Sequence, residues 1–165
     1  MLRIAKSLLT IAAVAAIATG ATSAAWTDST TVPNNVFSTG VMNIDTAPTT
    51  TVFTAPNIYP GWSEEQTIDV QNNGSVQLNY TAVASQTAGN AELYTAPEFL
   101  LKIGTISGGN DVYDGTVSGL AFANRLLLSG ASEMLYFTVS LDGSADNSLQ
   151  GKTATVTFTF NATQP

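Results

Sequence analysis

The sequence predicts an all-β fold, a sandwich or jelly roll of two antiparallel sheets with one short helical turn, behind a cleaved N-terminal leader. Three observations predict it. Short stretches that alternate polar and apolar residues recur down the chain, and turn residues separate them. Outside the leader no long helical pattern occurs. Thr, Ser, Asn, Gly and Val are abundant, which suits exposed strands joined by turns.

The leader comes first. Arg3 and Lys6 precede an apolar stretch from Leu8 to Ala18, and the small residues Thr19, Gly20, Ala21, Thr22, Ser23 and Ala24 follow. Charge, apolar core and small-residue exit, in that order, make a secretory signal peptide. The apolar core is shorter than the roughly 20 residues of a membrane span. The chain is therefore expected outside the cytoplasm, free of the membrane once cut. Removing residues 1–24 leaves about 140 residues, enough for one domain with a sizeable core. Residues 25–35 read as an extended N-terminal segment and 36–165 as the domain.

The domain then reads strand by strand. Pro33 cannot donate to a ladder and breaks the chain before an extended stretch from Val36 to Asp45. The Thr-rich segment from Ala47 to Phe53 reads as a turn and a short strand. Pro60-Gly61 turns the chain into the alternating run Gln66 to Gln71, and Asn72-Asn73-Gly74-Ser75 is a hairpin cue. Val76, Leu78, Tyr80 and Ala82 share one face of the next run. Ala96 to Leu101 suits one helical turn, with Pro97 at its start. Ile103 to Ile106 is strand, Gly108 to Asp111 is loop, and two apolar clusters flank Asn124-Arg125 between Leu120 and Leu128. Met134 to Leu141 is strand. Thr153 to Asn161 closes the series, with Ala154, Val156, Phe158 and Phe160 on one face and four Thr on the other.

An internal echo accompanies this pattern. Gly61, Ser63, Glu64, Val70, Gly74 and Ser75 recur at the same spacing as Gly130, Ser132, Glu133, Val139, Gly143 and Ser144. One turn-and-strand device used twice accounts for it; a duplicated half-domain is the alternative.

Composition narrows function. The chain has five basic residues against twelve acidic ones, and two of the five lie in the leader. So acidic a surface repels nucleic acid and anionic lipid. Without cysteine, stability rests on the core or on partner subunits. Without histidine, no His-based triad or His-ligated zinc can be built, and no H-E-x-x-H motif exists. No catalytic residue, metal site or cofactor is assigned. Asp142, Asp146 and Asn147 form an oxygen-rich loop of the kind calcium prefers, but the spacing is not that of an EF-hand and the acids read as solvated turn residues, as do Asp111 and Asp114. Three Asn-x-Ser/Thr sequons, at Asn73, Asn79 and Asn161, are candidate glycosylation sites. Trp62 beside Glu64 and Glu65 reads as a partly buried turn aromatic rather than a carbohydrate platform.

Several ordered stretches resemble one family. They are Ala25-Trp26-Thr27-Asp28-Ser29, Asn34-Asn35-Val36-Phe37-Ser38-Thr39-Gly40 and Asn43-Ile44-Asp45. Pro60-Gly61, Val70, Asn72-Asn73-Gly74-Ser75, Leu78-Asn79-Tyr80, Ala145 to Lys152 and Val156 to Gln164 continue the match. Together they resemble the TasA/camelysin family of secreted proteins. The resemblance implies a jelly-roll domain released by a SipW-type signal peptidase. It also implies assembly of identical subunits, with or without other matrix proteins, into extracellular fibres of a biofilm matrix or bundling pili. Cleavage then falls between Ala24 and Ala25, or just after Ala25. The segment that would complete the sheet of the next subunit is Ala25, Trp26, Thr27, Asp28, Ser29, Thr30, Thr31 and Val32.

Physical chemistry supports that role independently. β-Branched Thr27, Thr30, Thr31 and Val32 suit a pleated surface, and Trp26 offers a large apolar anchor. A head-to-tail contact need not close, so it can propagate. The same segment could instead fold back as an edge strand of its own domain. The runner-up function is a monomeric cell-surface adhesin or carbohydrate-binding module. A third is an acid-dependent hydrolase using Glu64, Glu65 or Asp69.

Overall fold

A computed structural model describes residues 30, 36–50 and 52–165 of the chain. The leader, the Ala24–Ala25 bond and the proposed donor residues other than Thr30 lie outside the described residues. Residues 38–165 form the β unit. Its strands are β1 (Ile44–Ala47), β2 (Ser63–Asn72), β3 (Leu78–Gly89), β4 (Phe99–Gly104), β5 (Tyr113–Thr116), β6 (Arg125–Leu127), β7 (Ser132–Leu141) and β8 (Ala154–Thr163). One short helix, α1 (Ala91–Tyr94), follows β3.

All pairings are antiparallel, and they make two sheets, β1-β2-β7-β4-β5 and β6-β3-β8. The expected all-β fold of two antiparallel sheets with one short helical element is what the chain adopts. Alternation explains the core, because every second side chain of a strand points to the same face. From the larger sheet, Ile68, Val70, Leu101, Ile103, Leu135 and Phe137 turn inward. From the smaller one, Leu78, Tyr80 and Ala82 meet them. The Phe137 ring lies 5.3 Å from Phe158, and Tyr80 lies 6.1 Å from Phe122, edge-on.

The internal echo has a structural counterpart. β2 and β7 have the same length, start two residues after Gly61 and Gly130, and lie side by side from Ser63↔Ser140 to Gln71↔Ser132. Both glycines have positive φ, 89° and 71°, where a side chain would be strained. One device, a left-handed glycine followed by a ten-residue strand, builds the centre of the larger sheet twice.

Three local expectations change. The Asn72–Ser75 turn does not close a hairpin: β2 and β3 belong to different sheets. Asn72 is fully buried, and its amide donates to the Val76, Leu127 and Leu128 carbonyls at 2.8, 3.1 and 3.1 Å while accepting from Gly74 N–H. Those bonds hold a corner between sheets, where a hairpin would need the backbone groups for a ladder. The helical turn falls at Ala91–Tyr94, earlier than expected, and Phe99 to Leu101 join β4. Ala96 precedes a proline and so disfavours helix, whereas Leu93 is buried and the Thr95 hydroxyl bonds Ala91 O at 2.9 Å. Finally, the described residues after Ala47 up to Phe53 form no strand.

Candidate functional site

One strand has its apolar face only partly covered. β8 alternates along ten residues, yet Ala154, Val156, Phe158, Phe160 and Ala162 on its inward face are only half-buried. Its partner is β3, and its other edge pairs with no described strand. Such an edge presents a row of N–H and C=O groups free to bond another strand. β1, an edge strand of the larger sheet, comes near it across the gap.

Along this edge opens a cavity of about 1410 Å3 that follows β8 from Ala154 to Phe160. Core residues Ile68, Phe99, Val139 and Leu141 line it, and so do Val52, Phe53, Ile58 and Trp62 from the long β1–β2 connection. Ordinary ligand pockets hold roughly 300–1,000 Å3. This one is larger, mostly apolar in its named walls, and bounded by a strand edge that pairs with no described strand. That combination suits an extended peptide, whose backbone pairs with the edge while alternate side chains enter the groove.

The other polar groups mostly serve the scaffold. On the inward side of the sandwich, Arg125 Nε donates to Glu133 Oε2 at 3.0 Å, its Nη2 pairs with Oε1, and the Tyr80 hydroxyl donates to the same carboxylate. The three residues come from β6, β7 and β3, so the cluster ties the two sheets together. The Arg125 hydrogen bond holds the Glu133 carboxyl below its usual range. Burial, then the Glu133 bond, pushes the Tyr80 phenol up. Sequence reading missed this cluster because its members are far apart in the chain.

The acids named from sequence are dispersed. Glu64 and Glu65 are consecutive strand residues and so lie on opposite faces. Glu65 accepts from the Ser107 hydroxyl at 2.6 Å, Gly108 N–H at 2.7 Å and the Thr138 hydroxyl at 3.2 Å, which lowers its pKa, Ser107 contributing most. Asp69 accepts from Gln71 at 2.8 Å. Asp142 and Asp146 each cap their own turn through Ser144 and Ser148, and those bonds hold both carboxyls low. Asp111 accepts from Thr105, and Asp114 from Asn110.

The sequons separate into two settings. Asn73 is exposed in the corner turn, where the Ser75 hydroxyl is already engaged by Val41 N–H at 2.9 Å. Asn79 and Asn161 lie on the outward face of the smaller sheet, with Asn79 opposite Thr163 and Asn161 opposite Thr81. Trp62 is a wall of the groove, as a partly buried turn aromatic. No helix among the described residues is long and apolar enough to cross a membrane.

Comparison with known proteins adds the family. A family model described as Camelysin metallo-endopeptidase matches residues 2–95, more than half of the chain. The chain belongs to the TasA/camelysin family. No curated protein matches it. The camelysin description implies a bound metal. The chain has no His or Cys, and among the described residues no group of three or more Asp or Glu is placed to hold a metal ion. The donor set does not fit a bound zinc. What this camelysin-family chain offers at the cavity beside β8 is a strand edge and an apolar groove.

Proposed function

We propose that the chain is a structural subunit of extracellular fibres, in a biofilm matrix or a bundling pilus. Each subunit inserts its N-terminal segment, residues 25–32, into the groove beside β8 of the next. The single observation that carries the reading is β8 itself, a ten-residue edge strand whose apolar face is unmatched inside its own domain. Dimensions agree. Eight extended residues span about 26 Å and ten span about 33 Å, so the segment fits within the edge. Trp26 supplies a side chain large enough to fill part of the groove.

Family membership supports the same reading. The leader, residues 1–24, would export the chain, and a SipW-type peptidase would free the donor end. The four longest strands, β2, β3, β7 and β8, alternate between the two sheets, which supports a jelly-roll reading in which the groove is a missing strand position. The segment leads out of one subunit and into another, so the contact is heterologous and extends into a filament.

Electron microscopy of purified mature protein tests the proposal. Filaments are expected, and deletion of residues 25–32 should abolish them while the β signature in circular dichroism persists. A mature chain that stays monomeric at high concentration, and behaves the same after the deletion, would return the reading to an adhesin or carbohydrate-binding module.

A further inference from the structure

Among the described residues, the β1–β2 connection, 48–50 and 52–62, is the longest stretch of the β unit outside strands, and it forms one wall of the groove. Val52, Phe53, Ile58 and Trp62 from it pack half-buried against the core and line the same cavity as Val156, Phe158 and Phe160. Irregular connections of this length are uncommon in small domains and tend to carry function.

How this strap is held is unusual. Among the described residues, 48–58 make no hydrogen bond, backbone or side chain, and the first bonds appear at Tyr59 O with Trp62 N–H and at Gly61 N–H with Leu141 O. Pro48, Pro56 and Pro60 remove three backbone donors, so the strap is poorly suited to zip onto β8 as a regular strand. Among the described residues, apolar contacts of Val52, Phe53 and Ile58 are what hold this stretch to the core.

From this we infer that the strap is an internal plug of the assembly groove, seated before polymerisation and displaced when the N-terminal segment of a second copy enters. The inference rests on the fibre reading and adds its regulation. The strap covers apolar surface with Val52, Phe53 and Ile58 but satisfies no edge bonds. An incoming strand brings both apolar side chains and a backbone ladder to the free edge of β8. The plug therefore lowers the fraction of subunits open to a donor, and observed affinity falls by that same fraction. It shields part of the apolar face until a donor enters.

Two measurements test it. In the mature chain, the double substitution Val52→Ser with Phe53→Ser loosens the plug. Its assembly lag, followed by light scattering, is expected to shorten about tenfold as the open fraction rises. An unchanged or longer lag in a variant that still forms filaments would overturn the plug. The second uses the unmodified chain and so does not depend on the variant folding. Chymotrypsin should cut after Phe53 faster in filaments than in monomers, because donor entry expels the strap. Equal protection of Phe53 in both states would overturn it. If the unmodified mature chain forms no filaments at all, the fibre reading itself fails; filaments with an immobile strap refute the plug alone.

Discussion

β7 and β8 are both ten-residue strands with unbroken alternation, and they differ in what their inward faces meet. On β7, Leu135 and Phe137 are fully buried and Val139 and Leu141 nearly so. On β8, Phe158 and Phe160 stay only half-buried although both meet the core ring of Phe137 and Phe160 also meets Tyr80. β7 has a neighbour on each edge, β2 and β4, whereas β8 has β3 alone among the described strands. The same pattern thus yields a sealed strand in the middle of one sheet and an unfinished one at the margin of the other. Incompleteness here belongs to the pairing, not to the strand.

Truncating matched aromatics sharpens the contrast most. Phe137→Ala should cost about 4 kcal/mol in urea unfolding of the monomer, the usual price of a large core cavity. Phe158→Ala should cost about 1 kcal/mol, since its surroundings are already open, yet it should weaken or abolish filament assembly. Equal losses of monomer stability would mean that β8 is packed as tightly as β7, and the groove would lose its basis.

The corner at Asn72 comes next. Asn72→Ala removes the side-chain partner of the buried Leu127 carbonyl, of the part-buried Val76 and Leu128 carbonyls and of the Gly74 N–H, and should cost about 3 kcal/mol by the same measurement. Asn72→Asp keeps the shape but loses the donors, and should fall close to the alanine variant. A loss under about 0.5 kcal/mol would show that water replaces these bonds and that the corner is not set by the side chain.

How much of this could be read from the chain differs by region. The alternation of β2, β7 and β8 is local, so the strands and their apolar faces were visible, as was the repeated Gly-Ser-Glu entry to β2 and β7. The Asn-Gly turn misled because a hairpin and a sheet corner share turn residues; the buried Asn72 decides between them, and burial depends on Leu127 and Leu128, 55 or more positions away. The helical turn moved because Ala96 stands before Pro97. The groove was invisible for a different reason: an unmatched face is a deficit between two sheets, and no single strand encodes it. The Thr-rich stretch expected to be strand carries suitable residues, but Pro48 and Pro56 keep the connection from joining a ladder.

The Tyr80–Arg125–Glu133 cluster tests whether the two sheets are held together away from the open margin. Glu133→Gln should cost about 2 kcal/mol at neutral pH, because Arg125 and Tyr80 lose a charged acceptor. The effect should depend on pH in one direction. Arg125 holds the folded Glu133 carboxyl below its ordinary value of 4.5, so the folded chain takes up the proton less readily than the unfolded one. The stabilisation is therefore full above about pH 4.5 and drains away as pH falls through the lower, folded value. Asp111, Asp142, Asp146 and Glu65 are also held low and titrate in the same region, so the difference between parent and Glu133→Gln, not either curve alone, reports the cluster. That difference should shrink in acid; a constant gap from pH 7 to pH 3 would mean the carboxylate charge contributes nothing.

The smallest expected effect lies on the other side of the same strand. Thr155, Thr157 and Thr159 of β8 are exposed on the outward face, opposite Ala88, Ser85 and Val83 of β3 or close to them in register. Thr157→Ser should change monomer stability by less than about 0.5 kcal/mol, as surface substitutions away from special contacts do. It should leave filament yield unchanged as well, because a donor strand pairs with the edge of β8 and fills the inward face, leaving outward side chains in solvent. Loss of filaments from Thr157→Ser, with the monomer intact, would place the subunit contact on the threonine face. β8 would then be a strand whose exposed side matters more than its open one, and the comparison with β7 would have to be drawn from the outside of the sandwich.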